Sequence, residues 1–94
     1  MPEDEKCGLS SQMKRAAVSI PSNISEGYGR GSKRDYSRFV KISRASIFEL
    51  DTQVEVAKSQ NFSDERTHGI IIEMMTEVGK MVNGLISSLD RPNP

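Results

Sequence analysis

Residues 9–30 read LSSQMKRAAVSIPSNISEGYGR, and their spacing decides the fold. Leu9, Met13, Ala16, Ala17, Ile20 and Ile24 recur at intervals that line one side of an α-helix with apolar groups. Gln12, Arg15, Ser19, Asn23 and Glu26 form a second, polar stripe roughly 90° around the same helix. A helix that is oily on one side and hydrogen-bonding on the next packs against two different neighbours, which points to an assembly or binding module. Pro21 removes the hydrogen bond to the Ala17 carbonyl, so a kink is expected there, with the stripe continuing in phase through Ile24. Gly27, Gly29 and Gly31 supply the stop and the turn, which predicts a first helix over about 9–28.

The pattern continues outward from that stretch. Ser32 offers an N-cap with Asp35 three residues on, and a second helix is predicted over 33–60. Its residues Tyr36, Val40, Ser43, Ile47, Leu50, Val54 and Ala57 step by four and three, a strict heptad seam. Asn61 and Phe62 turn the corner, and Ser63 is placed to cap a third helix over 63–90. That helix carries Ile71, Met74, Val78, Met81, Leu85 and Leu89 as its expected inner stripe and ends before Pro92. Short turns between long helices make neighbours antiparallel, so the expected fold is all-α, an up-down-up bundle forming one domain over 1–94. The second helix also has a side stripe of Phe39, Ile42, Ser46, Glu49, Gln53 and Val56. Its polar middle is expected to form a hydrogen-bonded layer with Arg15, Ser19, Asn23 and Glu26, or with a neighbouring subunit.

Composition excludes several classes. With 94 residues, 35% hydrophobic and 5% aromatic with no Trp, the chain suits helices packed through aliphatic side chains better than a β-sandwich. Net charge is zero, so no global argument for nucleic acid or membrane follows. Cys7 is alone, which rules out an internal disulfide and fits a reducing cytoplasm. The start, MPEDEKCG, has no apolar core of a signal peptide, and no apolar run is long enough to span a bilayer.

Candidate chemistry is sparse. Between Arg30 and Arg44 stand six basic residues (Arg30, Lys33, Arg34, Arg38, Lys41 and Arg44) against one acid, Asp35. Arg34, Arg38 and Lys41, with Lys33 and Arg44 beside them, cluster on the helix side opposite Tyr36, Val40 and Leu50, and with Arg30 the six are the expected contact for RNA or DNA phosphates, without an aromatic platform for base stacking. The ordinary reading of such a run is a solvated helix face. Residues 27–31 lack the preceding strand and following Gly-Lys of a phosphate loop and read as a helix stop. His68 has no metal-ligand spacing around it and reads as a surface residue. Glu26 and Glu49 are expected to pair with Arg15 or to accept hydrogen bonds from Asn23, Ser46 or Gln53, rather than to form a catalytic pair. Met74, Met75 and Met81 read as packing residues. No catalytic residue, metal or cofactor is expected.

The run SQMKRAAVSIPSNISEGYGRGSKRDYSRFVKISRASIFELDTQVEVAK over 11–58 closely resembles the signature of the bacterial four-helix-bundle family of 23S rRNA intervening-sequence proteins. The likeness continues more weakly through EVGKMVNGLISSL, and Ser25 and Ser43 stand where the family usually has Ala. MPEDEKCGL is similar to the linker that follows the family's first helix, with Met1 and Cys7 at its two aromatic positions. The resemblance therefore implies three long helices of a four-helix bundle with the first family helix absent. It leaves a groove to be filled by an upstream-encoded helix, by another copy of the chain, or by compaction of the three. A shortened gene reading is the favoured of these. The resemblance also implies a non-enzymatic cytoplasmic protein that forms a homo-oligomer, commonly a pentamer. Through the accessory protein of diversity-generating retroelements, it extends to RNA or DNA and a reverse transcriptase as partners. The rival reading is a protein-interaction scaffold that docks a partner helix in the groove, with no nucleic-acid role.

Overall fold

A computed structural model describes residues 2–92 as three α-helices, α1 (Pro2–Gly29), α2 (Lys33–Ser59) and α3 (Glu65–Asp90), with no strand among the described residues. The helices run antiparallel, as the all-α reading expects. Ser19 meets Ser46 and Gly27 meets Phe39 across α1 and α2, while Ser37 meets Asp90 and Glu55 meets His68 across α2 and α3. α2 is the middle rod. No Cα of α1 lies within 8 Å of a Cα of α3 among the described residues, and the Cα envelope measures 55 × 22 × 13 Å. Its thinnest dimension is little more than one helix spacing.

Local chemistry explains the ends. Ser32 Oγ accepts from Asp35 N at 3.1 Å, and Gly31 turns the corner at φ +83°, where a side chain would be strained. α2 closes with Phe62 N donating to Ala57 O and Asn61 N to Lys58 O, with Asn61 at φ 60°, a left-handed helix stop. Two boundaries differ from expectation. α1 begins at Pro2, seven residues before the predicted start at Leu9, so the stretch read as a linker is helical. A proline tolerated at the first helical position and Glu3, Asp4 and Glu5 facing the positive end of the helix dipole favour that start. The helix continues past Pro21, in line with the unbroken phase of its stripe; Pro21 is exposed, so water can satisfy the carbonyl that loses its donor. The cap of α3 is Asp64, not Ser63: Asp64 Oδ1 accepts from Thr67 N at 2.7 Å, whereas Ser63 Oγ is buried without a partner.

Every residue of the predicted α2 seam is buried or half-buried, and Val40, Ile47, Val82 and Ile86 form the core with Ile20, Ile24 and Leu89 packed on it. The predicted α3 stripe holds in part. Leu85 and Leu89 pack on the core and Ile71 is half-buried, whereas Met74, Val78 and Met81 are 63%, 36% and 70% exposed, and Met75, Val82 and Ile86 complete the seam. The apolar arc of α3 is wider than one neighbour can cover, so α2 takes one edge and the other stays open. Between α1 and α3, above α2, this leaves a wholly apolar groove of about 240 Å³ lined by Ile20, Ile47, Leu50, Ile71, Met74, Met75 and Val78. No helix among the described residues is long and apolar enough to cross a membrane.

Candidate nucleic-acid interface

Five of the six predicted cations gather at the end of the slab where α1 stops, α2 starts and α3 finishes, and Arg44 stands further along α2. Arg30 extends from the turn and forms a 2.8 Å pair with Glu26, and its guanidinium lies 4.9 Å from the Phe39 ring centre. Arg38 covers the same ring at 4.6 Å and stands 3.9 Å from Asp35. Lys41 Nζ meets Asp90 at 2.9 Å, Lys33 Nζ donates to the Arg91 carbonyl at 3.0 Å, and Arg44 reaches Asn83 at 3.4 Å. Arg34 is exposed on the wall of a cleft shared with Ser37, Arg38, Lys41, Leu89 and Asp90.

Three carboxylates (Glu26, Asp35 and Asp90) therefore thread the six cations, where the sequence run alone displays only Asp35. These are surface pairs: the Arg30, Arg38 and Lys41 side chains keep 48%, 58% and 44% of their exposure. Such pairs are worth about 0–1 kcal/mol and yield readily to a phosphate. Arg44 is the least available, being half-buried against α3.

The aromatic surroundings differ from expectation. Tyr28, 74% exposed, stands edge-on to Tyr36 at 5.7 Å beside a cleft that includes Lys33, and Phe39 lies under two arginines. Tyr28 lies just before the basic run, in the glycine-rich exit of α1, and its ring can be placed beside the cations only once the turn is known.

Asp90 is the electrostatic hinge of this end. The Lys41 ammonium hydrogen bond, then the Ser37 hydroxyl, hold its carboxyl below the usual 3.8, against a small opposing effect of burial. A depressed folded-state pKa adds stability above the unfolded-state value that is lost as pH falls through the folded value. Docking of the α3 C-terminus on α2 should therefore loosen below pH 3.8. NMR titration should place Asp90 below 3.8, and Lys41→Met should move it back up; an unmoved titration would remove Lys41 as the cause.

The polar layer forms in part. Ser19 Oγ and Ser46 Oγ are 2.8 Å apart, Asn23 Nδ2 donates to the Ser19 carbonyl and hydroxyl at 2.8 and 2.9 Å, and Gln53 Nε2 donates to Glu49 at 3.2 Å. Buried Ser43 adds a bond to the Ile20 carbonyl at 2.8 Å. Arg15 stays exposed outside this layer, and Glu26 turns instead to Arg30, four residues away on its own helix. Gln53 Oε1 is buried without a partner, so Gln53→Leu is expected to raise stability by about 0.5–1 kcal/mol in urea unfolding, because an unsatisfied carbonyl is removed. A loss above that size would show that the amide has a partner in solution.

His68 is not the surface residue expected. Its side chain is 14% exposed and meets Glu55 at 2.7 Å, tying the start of α3 to the end of α2. Met75 packs on the core as expected, while Met74 and Met81 face outward. Among the described residues, no three His, Cys, Asp or Glu side chains are placed to hold a metal ion.

No curated protein matches the chain. The model of the 23S rRNA-intervening sequence protein family matches residues 1–84, which takes in α1, the basic end, α2 and most of α3. The chain belongs to the 23S rRNA-intervening sequence protein family.

Proposed function

We propose that this chain is a non-enzymatic, self-associating cytoplasmic protein that binds RNA or DNA through Arg30, Lys33, Arg34, Arg38, Lys41 and Arg44. The observation that carries the reading is the surplus of positive charge at one end of a chain whose net charge is zero. Recognition is by charge and shape. Phosphates displace the weak partners of Arg38 and Lys41 and release counterions, and Tyr28 offers a ring face to an unpaired base. Fluorescence anisotropy with a labelled structured RNA and a labelled single strand tests this. Affinity should fall steeply between roughly 50 and 200 mM salt. Absence of binding at low salt by folded protein would reject the nucleic-acid role.

The open groove favours a second reading, a scaffold that docks an amphipathic partner helix. That reading requires association to persist after the cationic end is neutralised and nucleic-acid binding to be absent in the unaltered chain.

A further inference from the structure

We infer that Tyr28 and the cleft beside it seat one unpaired base, so that the cationic end selects single strands over fully paired nucleic acid. The inference rests on the nucleic-acid role proposed above and adds the class of strand accepted. Three features of the molecule support it.

The first is the ring itself. The chain has two tyrosines and three phenylalanines, and Tyr28 is the one that is both open and beside the cations. Phe39 is already covered by the guanidinium groups of Arg30 and Arg38, and Tyr36 packs on the core. Phe48 stands in the middle of α2, and Phe62 lies in the turn before α3, at the opposite end. Tyr28 meets Tyr36 with ring planes at 79°, and at 74% exposure at least one of its faces is left to solvent.

The second is the cleft. Tyr28, Gly31, Ser32, Lys33, Tyr36 and Leu89 line an open space of about 420 Å³, within the size range of sites that hold a small ligand. Gly31 brings no side chain into it, and at φ +83° the turn reserves that position for glycine. The lining therefore combines an aromatic and aliphatic wall with a hydroxyl and an ammonium group.

The third is adjacency. Leu89 also lines the cleft that holds Arg34, Arg38 and Lys41, so the two clefts meet at the end of α3. A base seated on Tyr28 has one cation, Lys33, in its own cleft and further ones for the neighbouring phosphates in the next. In a duplex the base faces are covered by the stack, and phosphates and groove edges remain. A single strand offers base faces and phosphates together.

Fluorescence anisotropy of the full chain with labelled oligo(dT), oligo(rU) and a blunt DNA duplex of equal length tests the inference, with Tyr28→Ala, Tyr28→Phe and Tyr28→Trp. The exposed position of Tyr28 lets these variants keep their fold, verified by helical circular dichroism. The unaltered chain should bind the single strands more tightly than the duplex at equal salt. Tyr28→Ala should weaken single-strand binding roughly 5- to 150-fold, change duplex binding by less than about 2-fold, and leave the salt slope unmoved because no charge is lost. Tyr28→Phe should keep the preference, since a ring face suffices. The chain has no tryptophan, so the Tyr28→Trp emission reports the seat directly: a single strand should quench it and the duplex should not. A loss of that size on either single strand supports the seat, and the strand that shows it gives the sugar accepted. Binding without single-strand preference, or a Tyr28→Ala loss equal on strand and duplex, would overturn the base seat and leave the phosphate contact standing. No binding of any probe at low salt would overturn both.

Discussion

Gly27→Ala should destabilise the chain by about 1–3 kcal/mol, while Gly8→Ala should stabilise it by about 0.5–1 kcal/mol, although both add one methyl group to α1. Glycine inside a helix is normally a weak point, so the ordinary expectation is a gain at both sites. At Gly27 a Cβ would lie 2.6 Å from Phe39 Cβ and 3.2 Å from the Tyr36 carbonyl oxygen. Neither atom can rotate aside, because one is attached directly to the α2 backbone and the other belongs to it. The rods must separate, and that loosens the packing of Ile24 and Tyr36 on the core and shifts the ring beneath Arg30 and Arg38. At Gly8 nothing lies within 4 Å, and only the helix preference remains. Thermal unfolding at one fixed protein concentration reads the contrast, with roughly 4–8 °C per kcal/mol for a chain of this size. A gain in stability at Gly27 like that expected at Gly8 would show that α1 and α2 do not meet at Gly27.

The parts of the fold legible in the sequence are those with a neighbour on both sides. α2 is flanked by α1 and α3, so its seam from Tyr36 to Ala57 reads directly as burial. α3 has one neighbour. Its apolar residues describe a broad arc, and periodicity alone does not say which edge α2 covers; Met75, Val82 and Ile86 lie inward and Met74 and Met81 outward. The start of α1 was legible in principle, because Glu3, Asp4 and Glu5 behind a proline are a helix-start signal. The apolar stripe begins only at Leu9, because residues 3–8 are exposed and have little to pack against.

The candidate site divides along similar lines. The basic run is local and therefore visible. Its neutralising partners Glu26 and Asp90 lie four residues before Arg30 and forty-nine after Lys41, and only the helix surface and the antiparallel return of α3 bring them in. The Ser19–Ser46 and Gln53–Glu49 bonds follow the polar stripes as expected. Arg15 does not, because a residue at the outer border of a stripe is drawn to water as easily as to a neighbour. His68 and Glu55 pair only because the α2–α3 turn folds back on itself.

Those tertiary partners give the second large effect its sign test. Arg34→Glu with Arg38→Glu should weaken nucleic-acid binding by roughly 10- to 100-fold at fixed salt and lower the magnitude of the salt slope by about two. Two cations that would each neutralise a phosphate become repulsive charges. Asp90→Asn should act in the opposite direction. It removes the carboxylate held by Lys41 and Ser37, leaves Lys41 able to meet a phosphate, and should raise the slope magnitude by about one. Both side chains in the double variant are exposed, and Arg38 gives up only a 3.9 Å contact with Asp35 and its place over the Phe39 ring, so the fold is expected to survive, as circular dichroism can verify. If binding arose from general attraction to any positive surface, reversing the exposed Lys6 and Lys14, which lie in the first half of α1, would weaken it equally. An equal loss in that control, or an Asp90→Asn variant that binds more weakly while still folded, would remove the α2 face as the contact surface.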